Sequence, residues 1–254
     1  MPHYLSGIIL NQGDRIMIDK MVGKTEVALY GLAYSIGMLV QLFISGMNSA
    51  LTPWMYSKIK KGDIRSMRKV LQLLSVVVVG IAVALMLISP ELVLIFGSPK
   101  YREAVYVIPP VAASVFFIFI YNILSMPQFY YEKTQFLMAA SMAAAGANVV
   151  LNFIFIRLFG YIAAGYTTLA CYMLYSVGHY IVSKRILVNE GIQENLMSPG
   201  FLVACSVFLI GASIICNLIF PYRILRYAIL LASAGLVFWK KELLQKTMAD
   251  IRKK

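Results

Sequence analysis

Charge is scarce in this sequence. Lysine, arginine, aspartate and glutamate together make up 13% of its 254 residues, against about 25% in ordinary soluble domains. A soluble globule could not clothe its surface with so few charges, whereas a chain dissolved in lipid can. Acids are scarcer than bases, 11 against 23. The basic excess does not point to nucleic acid, because the bases stand in short runs between apolar segments rather than on one face. Cysteine is nearly absent: Cys171, Cys205 and Cys216 all lie in apolar segments, with neither metal spacing nor a disulfide framework, and read as small packing residues. Histidine is rarer still. His3 is terminal, and His179 stands alone near the end of an apolar segment, where it reads as a packing residue; neither joins a Ser/His/Asp or Cys/His set. The tetrapeptide VGKT at 22–25 ends like a phosphate-binding loop, but the glycine required five positions before Gly23 is Ile18. No motif of a soluble enzyme remains, and no cofactor or metal is expected.

Apolar length is what the chain has in abundance, with 60% apolar residues and a mean hydropathy of +0.77. Eight segments are expected to span a membrane, at roughly 4–18, 26–56, 70–90, 104–126, 135–156, 161–183, 200–220 and 223–239. A helix needs about 20 residues to cross a hydrocarbon core about 30 Å thick. The expected fold class is therefore all-α, a polytopic membrane helix bundle. The long second segment is expected to overhang the bilayer or to end in an interfacial turn near Pro53. The first is short and lacks the basic start of a signal peptide. Its simplest explanation is a helix that begins upstream of Met1, in a longer protein of which this is the C-terminal part. Pro109-Pro110 opens the fourth span, where a helix start tolerates proline. The stretch EGIQENLMSP at 190–199 reads as a loop between the first six spans and the last pair, which divides the chain into 1–189 and 190–254.

Lysine and arginine give the orientation. With both ends cytoplasmic, the inner loops 57–69, 127–134, 184–199 and 240–254 hold fifteen of the 23 bases, including both of the densest runs, and the outer side holds seven. Arg15 is then the one base left within a span. The inner loop KIKKGDIRSMRK reads as a topology determinant, with a lipid-phosphate patch as the alternative.

The polar residues inside the spans fall at helical spacing. Asn11, Asp14 and Arg15 stand at i, i+3 and i+4 and so share a face. In the second span Tyr30, Tyr34, Gly37, Gln41, Ser45, Asn48 and Thr52 step by three or four and form one continuous stripe. Ser141, Ala145, Asn148 and Asn152 do the same in the fifth, and the fourth offers Tyr121, Asn122 and Ser125. Facing lipid, such groups would stay unsatisfied at a cost of a few kcal/mol each, so these stripes are expected to face other helices or a watery cavity. Packing alone explains small residues and amides between spans, at about 0.6 kcal/mol per hydrogen bond, and is the preferred reading of Ser141, Asn148 and Asn152. For Asp14 and Arg15 the plain reading is mutual neutralisation near the outer interface. The alternative is a functional site, since charges within the membrane mark substrate and ion pathways. An arginine facing a cavity suits an anionic substrate such as a phosphate; a carboxylate beside it suits orientation or ion coupling.

The stretch GDRIMIDKMVGKTEVALYGLAYSIG, continued to NSALTPWMYSKIKKGD, resembles the start of the C-terminal lobe of polysaccharide flippases, the Wzx-type repeat-unit exporters of the multidrug/oligosaccharidyl-lipid/polysaccharide superfamily. The telling residues are Asp14 to Ile18, Gly23 to Tyr34, and Asn48 to Pro53. The resemblance covers the whole chain and weakens after residue 200. It implies half of a transporter built from two six-helix bundles around a cavity, often with two further helices. Such proteins are not enzymes. They move undecaprenyl-diphosphate-linked oligosaccharides across the bacterial inner membrane by alternating access, for cell-surface polysaccharide such as O-antigen. On this resemblance 1–189 is the second bundle, 190–254 the extra pair with a basic cytoplasmic tail, and Asn11, Asp14, Arg15, Tyr30, Tyr34, Gln41 and Asn48 are substrate-binding candidates lining the cavity. The implied partners are the lipid-linked glycan, membrane lipids, and either a first lobe or a second copy. A cation-coupled drug antiporter of the same superfamily, with Asp14 as its coupling carboxylate, and an inactive membrane scaffold are the alternatives.

Overall fold

The computed structural model describes residues 2–239, with side chains described from 12 to 233. Asn11, expected to line the cavity, the terminal His3 and the basic tail at 240–254 lie outside the described side chains. The helices are α1 (Pro2–Met21), α2 (Lys24–Gly37), α3 (Leu39–Lys60), α4 (Ile64–Phe96), α5 (Ile108–Tyr130), α6 (Gln135–Phe159), α7 (Ala163–Asn189), α8 (Pro199–Ile219) and α9 (Arg223–Trp239), with a 3₁₀ helix at Pro99–Val107 leading into α5. No strand occurs among the described residues. The protein is thus an all-α membrane bundle, and each expected span corresponds to a helix or, for the second, to the pair α2 and α3. Five helical stretches are by themselves long and apolar enough to cross a membrane: Lys24–Lys60, Ile64–Phe96, Pro99–Tyr130, Gln135–Phe159 and Pro199–Ile219.

Apolar character all round a helix predicts that it is enclosed, and α5 meets this expectation. In its most apolar stretch 89% of the residues are buried within the protein, against 22% for α8, so α5 is the centre of the bundle and α8 lies at its edge. α7 packs along α5 more extensively than any other pair, α1 lies on α6, and α6 on α7. Pro109 and Pro110 fall in the first turn of α5, where a missing N–H costs no helical bond.

The second expected span does not end near Pro53. The helix runs through that proline to Lys60, with Thr52 Oγ1 donating to the Asn48 carbonyl 2.8 Å away just before it. The break falls instead at Met38, between α2 and α3, where φ is −82° and ψ is 0°. Its cause is a close approach: a Cβ on Gly37 would stand 2.7 Å from Val111 Cγ1 of α5. Glycine lets α2 lie directly on the central helix, and the chain must then turn to continue along the bundle. Gly37→Val is expected to destabilise the protein by about 1–3 kcal/mol through overpacking, read as a lower melting temperature in detergent.

Short connections hold the basic end of the bundle. Asp63 caps α4, accepting from Ser66 N at 3.3 Å and from Lys58 Nζ at 2.6 Å; the Lys58 hydrogen bond holds its carboxyl below the usual carboxylate range. Arg68 Nε donates to the Asn195 carbonyl at 2.6 Å, which ties the loop before α8 to the start of α4.

At the opposite end Arg226 of α9 is 3% exposed and makes a two-pronged pair with Glu91 of α4, both N–H···O distances being 2.8 Å. Its Nη1 also donates to the Leu87 carbonyl at 2.6 Å. Charge counting places Arg226 on the outer side and leaves Arg15 as the one base within a span; the helix start at Arg223 instead carries Arg226 into the α4–α9 contact. Removing one member of such a pair strands the other charge, at about 3–5 kcal/mol. Arg226→Leu should therefore undock α9 before the rest of the bundle melts, seen as early proteolysis beyond α8, while Arg226→Glu with Glu91→Arg recovers part of the loss.

Candidate functional site

Among the described side chains of α1, the acid is buried as completely as the apolar Ile18. Asp14 is fully enclosed. Its Oδ2 accepts from Tyr30 Oη of α2 at 2.5 Å and from Thr168 Oγ1 of α7 at 2.8 Å. Its Oδ1 accepts from Asn152 Nδ2 of α6 at 2.5 Å. The same amide nitrogen reaches Asn148 Oδ1 at 3.2 Å, and Thr167 Oγ1 donates to Asn152 Oδ1. One carboxylate thus joins four helices, and a loss of any donor would unbalance a dry, low-dielectric site.

Arg15, one residue on, points elsewhere. Its Nη1 donates to Gln12 Oε1 at 3.1 Å, and the guanidinium carbon lies 5.4 Å from the Tyr34 ring centroid, within cation–π range. Its Nε is enclosed without a hydrogen-bond partner among the described residues, and no acidic group pairs with it there. Asp14 and Arg15 therefore do not neutralise each other. A step of 100° around the helix sends the acid into the lobe and leaves the base half-buried at its edge.

The polar stripe of the second span divides at the Met38 joint. Tyr30 and Tyr34 are buried in the lobe, ring centroids 5.8 Å apart. Gln41 and Asn48 are half-buried on α3, while Ser45, Gly46 and Ser49 are exposed beside them. The structure brings together Asp14 with Tyr30 and Arg15 with Tyr34, whereas Gln41 and Asn48 stand about two and four turns further along. Asn148, Asn152, Thr167 and Thr168 were not singled out as site residues. The amides at i and i+4 on α6 and the adjacent threonines of α7 were visible, but only the packing of α1 on α6 shows what they surround. Two apolar clefts, one between α5, α7 and α8 and one of about 590 Å³ between α6 and α7, are lined by none of the seven cavity candidates. Among the described residues no three His, Cys, Asp or Glu side chains gather as metal ligands.

A family model described as MatE matches residues 5–154, more than half of the chain. The chain belongs to the MatE family. Members of this family are membrane transporters, and the site just described lies on helices within or beside the matched region. Two curated proteins of Haemophilus influenzae are similar. One, an "Uncharacterized membrane protein", is 31% identical over 134 residues, covering 50% of this chain and 32% of its own length. The other, "Lsg locus putative protein 1", is 28% identical over 148 residues, covering 55% of this chain and 35% of its own length. The chain spans about a third of the length of these relatives. No solved structure matches it. The MatE match ends within α6, so Thr167 and Thr168, which complete the Asp14 network, come from outside the matched residues.

Proposed function

We propose that this chain is the C-terminal lobe of a flippase that carries undecaprenyl-diphosphate-linked oligosaccharide across the bacterial inner membrane, with the C-terminus cytoplasmic. The observation that carries this reading is Arg15: a cation with no acidic partner among the described residues, at the half-buried edge of α1, flanked by Tyr34 and leading to the half-buried amides of Gln41 and Asn48. A guanidinium is a forked donor that suits a diphosphate or an acidic sugar, tyrosine offers a stiff amphipathic surface to a sugar ring, and the amides suit hydroxyls. Exposed Ala28, Ser35, Ser45, Gly46 and Ser49 on α2 and α3, small residues suited to close helix contact, stand with exposed Leu39, Leu42 and Phe43 on the face where a first lobe, or a second copy, would complete the cavity. The test is restoration of surface polysaccharide in cells lacking the native exporter. The full-length protein restores it, and a variant set in which Arg15, Gln41 and Asn48 are all alanine does not; restoration by that set would remove this face from the mechanism.

The Asp14 network supports a second reading, cation-coupled drug antiport. An acid held by donors from three other helices links any change in its charge to the arrangement of α1, α2, α6 and α7. Drug resistance that depends on Asp14, without any effect on surface polysaccharide, would favour it.

A further inference from the structure

The helices α7 and α8 meet at one end and part at the other. Toward the outer side Asn217 Nδ2 of α8 donates to Tyr166 Oη of α7 at 2.9 Å; elsewhere their backbones stand apart. The gap between them is a groove of about 170 Å³ floored by α5. The floor, Phe116, Phe117 and Ile120, is buried, whereas the rims at Val177 and Val203 are 56% and 61% exposed, so the groove opens sideways to the bilayer. It follows α7 from Met173 to Tyr180 and α8 from Ser206 back to Pro199, about 10 Å at 1.5 Å per residue.

Two serines line the groove, yet both hydroxyls are turned to their helices. Ser176 Oγ donates to the carbonyls of Phe117 and Tyr172, each at 2.9 Å, and Ser206 Oγ to that of Leu202 at 2.8 Å. A sugar or a headgroup buried here would lose its bonds to water without replacement; a hydrocarbon chain would not. The mouth is different in kind. Tyr180 stands there, with Arg68 of α4 within electrostatic reach. Lys184 continues the lining face of Met173, Val177 and Tyr180 by a further step of four, and Arg185 is beside it; both are exposed, and no acid pairs with either among the described residues. The acids of the loop that follows are engaged elsewhere. Glu190 takes Lys133 Nζ at 3.0 Å, and Glu194 lies 3.9 Å from Arg68 Nη2.

We propose that this groove and the bases at its mouth bind one anionic phospholipid from the leaflet at the basic end, the cytoplasmic leaflet by the positive-inside rule. One acyl chain lies along α5 between α7 and α8, and the phosphodiester meets Lys184 and Arg185, with Arg68 behind them. Basic pockets between spans on that side suit anionic headgroups; a zwitterionic lipid would bring its own ammonium to three bases. None of the seven cavity candidates lines the groove, so the site is separate from that of any transported substrate. By filling the gap the lipid fastens α8, at the edge of the bundle, to α5 and α7.

Native mass spectrometry of the full-length protein, stripped of lipid in detergent and titrated with phosphatidylglycerol or with phosphatidylethanolamine of the same chains, tests this. One equivalent of phosphatidylglycerol is expected to bind roughly tenfold or more tighter than phosphatidylethanolamine. Lys184→Gln with Arg185→Gln should weaken that equivalent roughly tenfold or more, at about fivefold for each base near an anionic headgroup. Val203→Trp fills the groove, leaves every charge in place and should weaken it by a similar factor. Ile215→Trp, further along α8 toward the outer side, should not. All four positions are exposed, so these variants are expected to fold; Arg68 is left unchanged because it holds the Asn195 carbonyl. Equal binding of the two lipids, or a tight equivalent that survives the double variant or Val203→Trp, would overturn the site. Displacement of phosphatidylglycerol by an equal concentration of undecaprenyl phosphate would overturn the phospholipid assignment and give the groove to a polyprenyl chain. None of these readouts measures transport, so failure of the site leaves the flippase reading to its own test.

Discussion

Arg15→Ala is expected to cut export of surface polysaccharide by roughly ten- to a hundredfold while protein level and melting temperature stay close to wild type. The magnitude follows from the charge-assisted hydrogen bonds that a bound anion would lose, about 1.5–3 kcal/mol. The small effect on stability follows from the structure: among the described residues the guanidinium makes one hydrogen bond, to exposed Gln12, and one ring contact, to Tyr34. Arg15→Lys should recover part of the activity, because a point charge replaces a forked donor without reproducing its geometry. The measurement is surface polysaccharide per unit of membrane-inserted protein. Normal export by the alanine variant at normal protein level would take Arg15 out of the mechanism.

Asp14 should behave in the opposite way, with stability and function lost together. Asp14→Ala leaves Tyr30, Asn152 and Thr168 pointing donors at nothing, and each buried donor left so costs about 1–3 kcal/mol. The expected result is a large fall in melting temperature and little protein in the membrane. Asp14→Asn keeps the volume and one acceptor oxygen but turns an amide NH2 toward either the Asn152 donor or the Tyr30 and Thr168 donors. It should be better folded than the alanine variant and still inactive. A folded, fully active Asp14→Asn protein would reduce the carboxylate to a structural anchor and would remove the coupling role assigned to it.

These two neighbours show where sequence reasoning reached and where it stopped. Helical spacing placed Asn11, Asp14 and Arg15 on one face, because i+3 and i+4 each lie within about 60° of i, on either side of it. That resolution is too coarse to say that the acid turns into the lobe and the base to its edge. The stripe of α2 and α3 was read as one surface because a regular step implies a straight helix. The break at Met38 comes from Gly37 meeting Val111, a contact between residues 74 positions apart. The Pro53 turn was expected from the missing N–H, yet the exposed helix simply continues past it. On α7, His179 reads in the sequence as a lone packing residue, and only the structure sets it against Tyr121 and Gln128 of α5.

The sequence by itself determined the solvent, the fold class, the approximate helix bounds and which segments carry polar faces. Those properties are local: they follow from apolar length, from the period of the helix, and from the cost of burying a backbone that is not bonded to itself. The tertiary structure alone decided which polar faces meet. Asp14 finds Asn152 across 138 positions and Thr168 across 154, and nothing in either helix specifies the other's rotation. That choice is made by close packing around α5, where a single rotation of each helix satisfies the buried donors and fills the core at once.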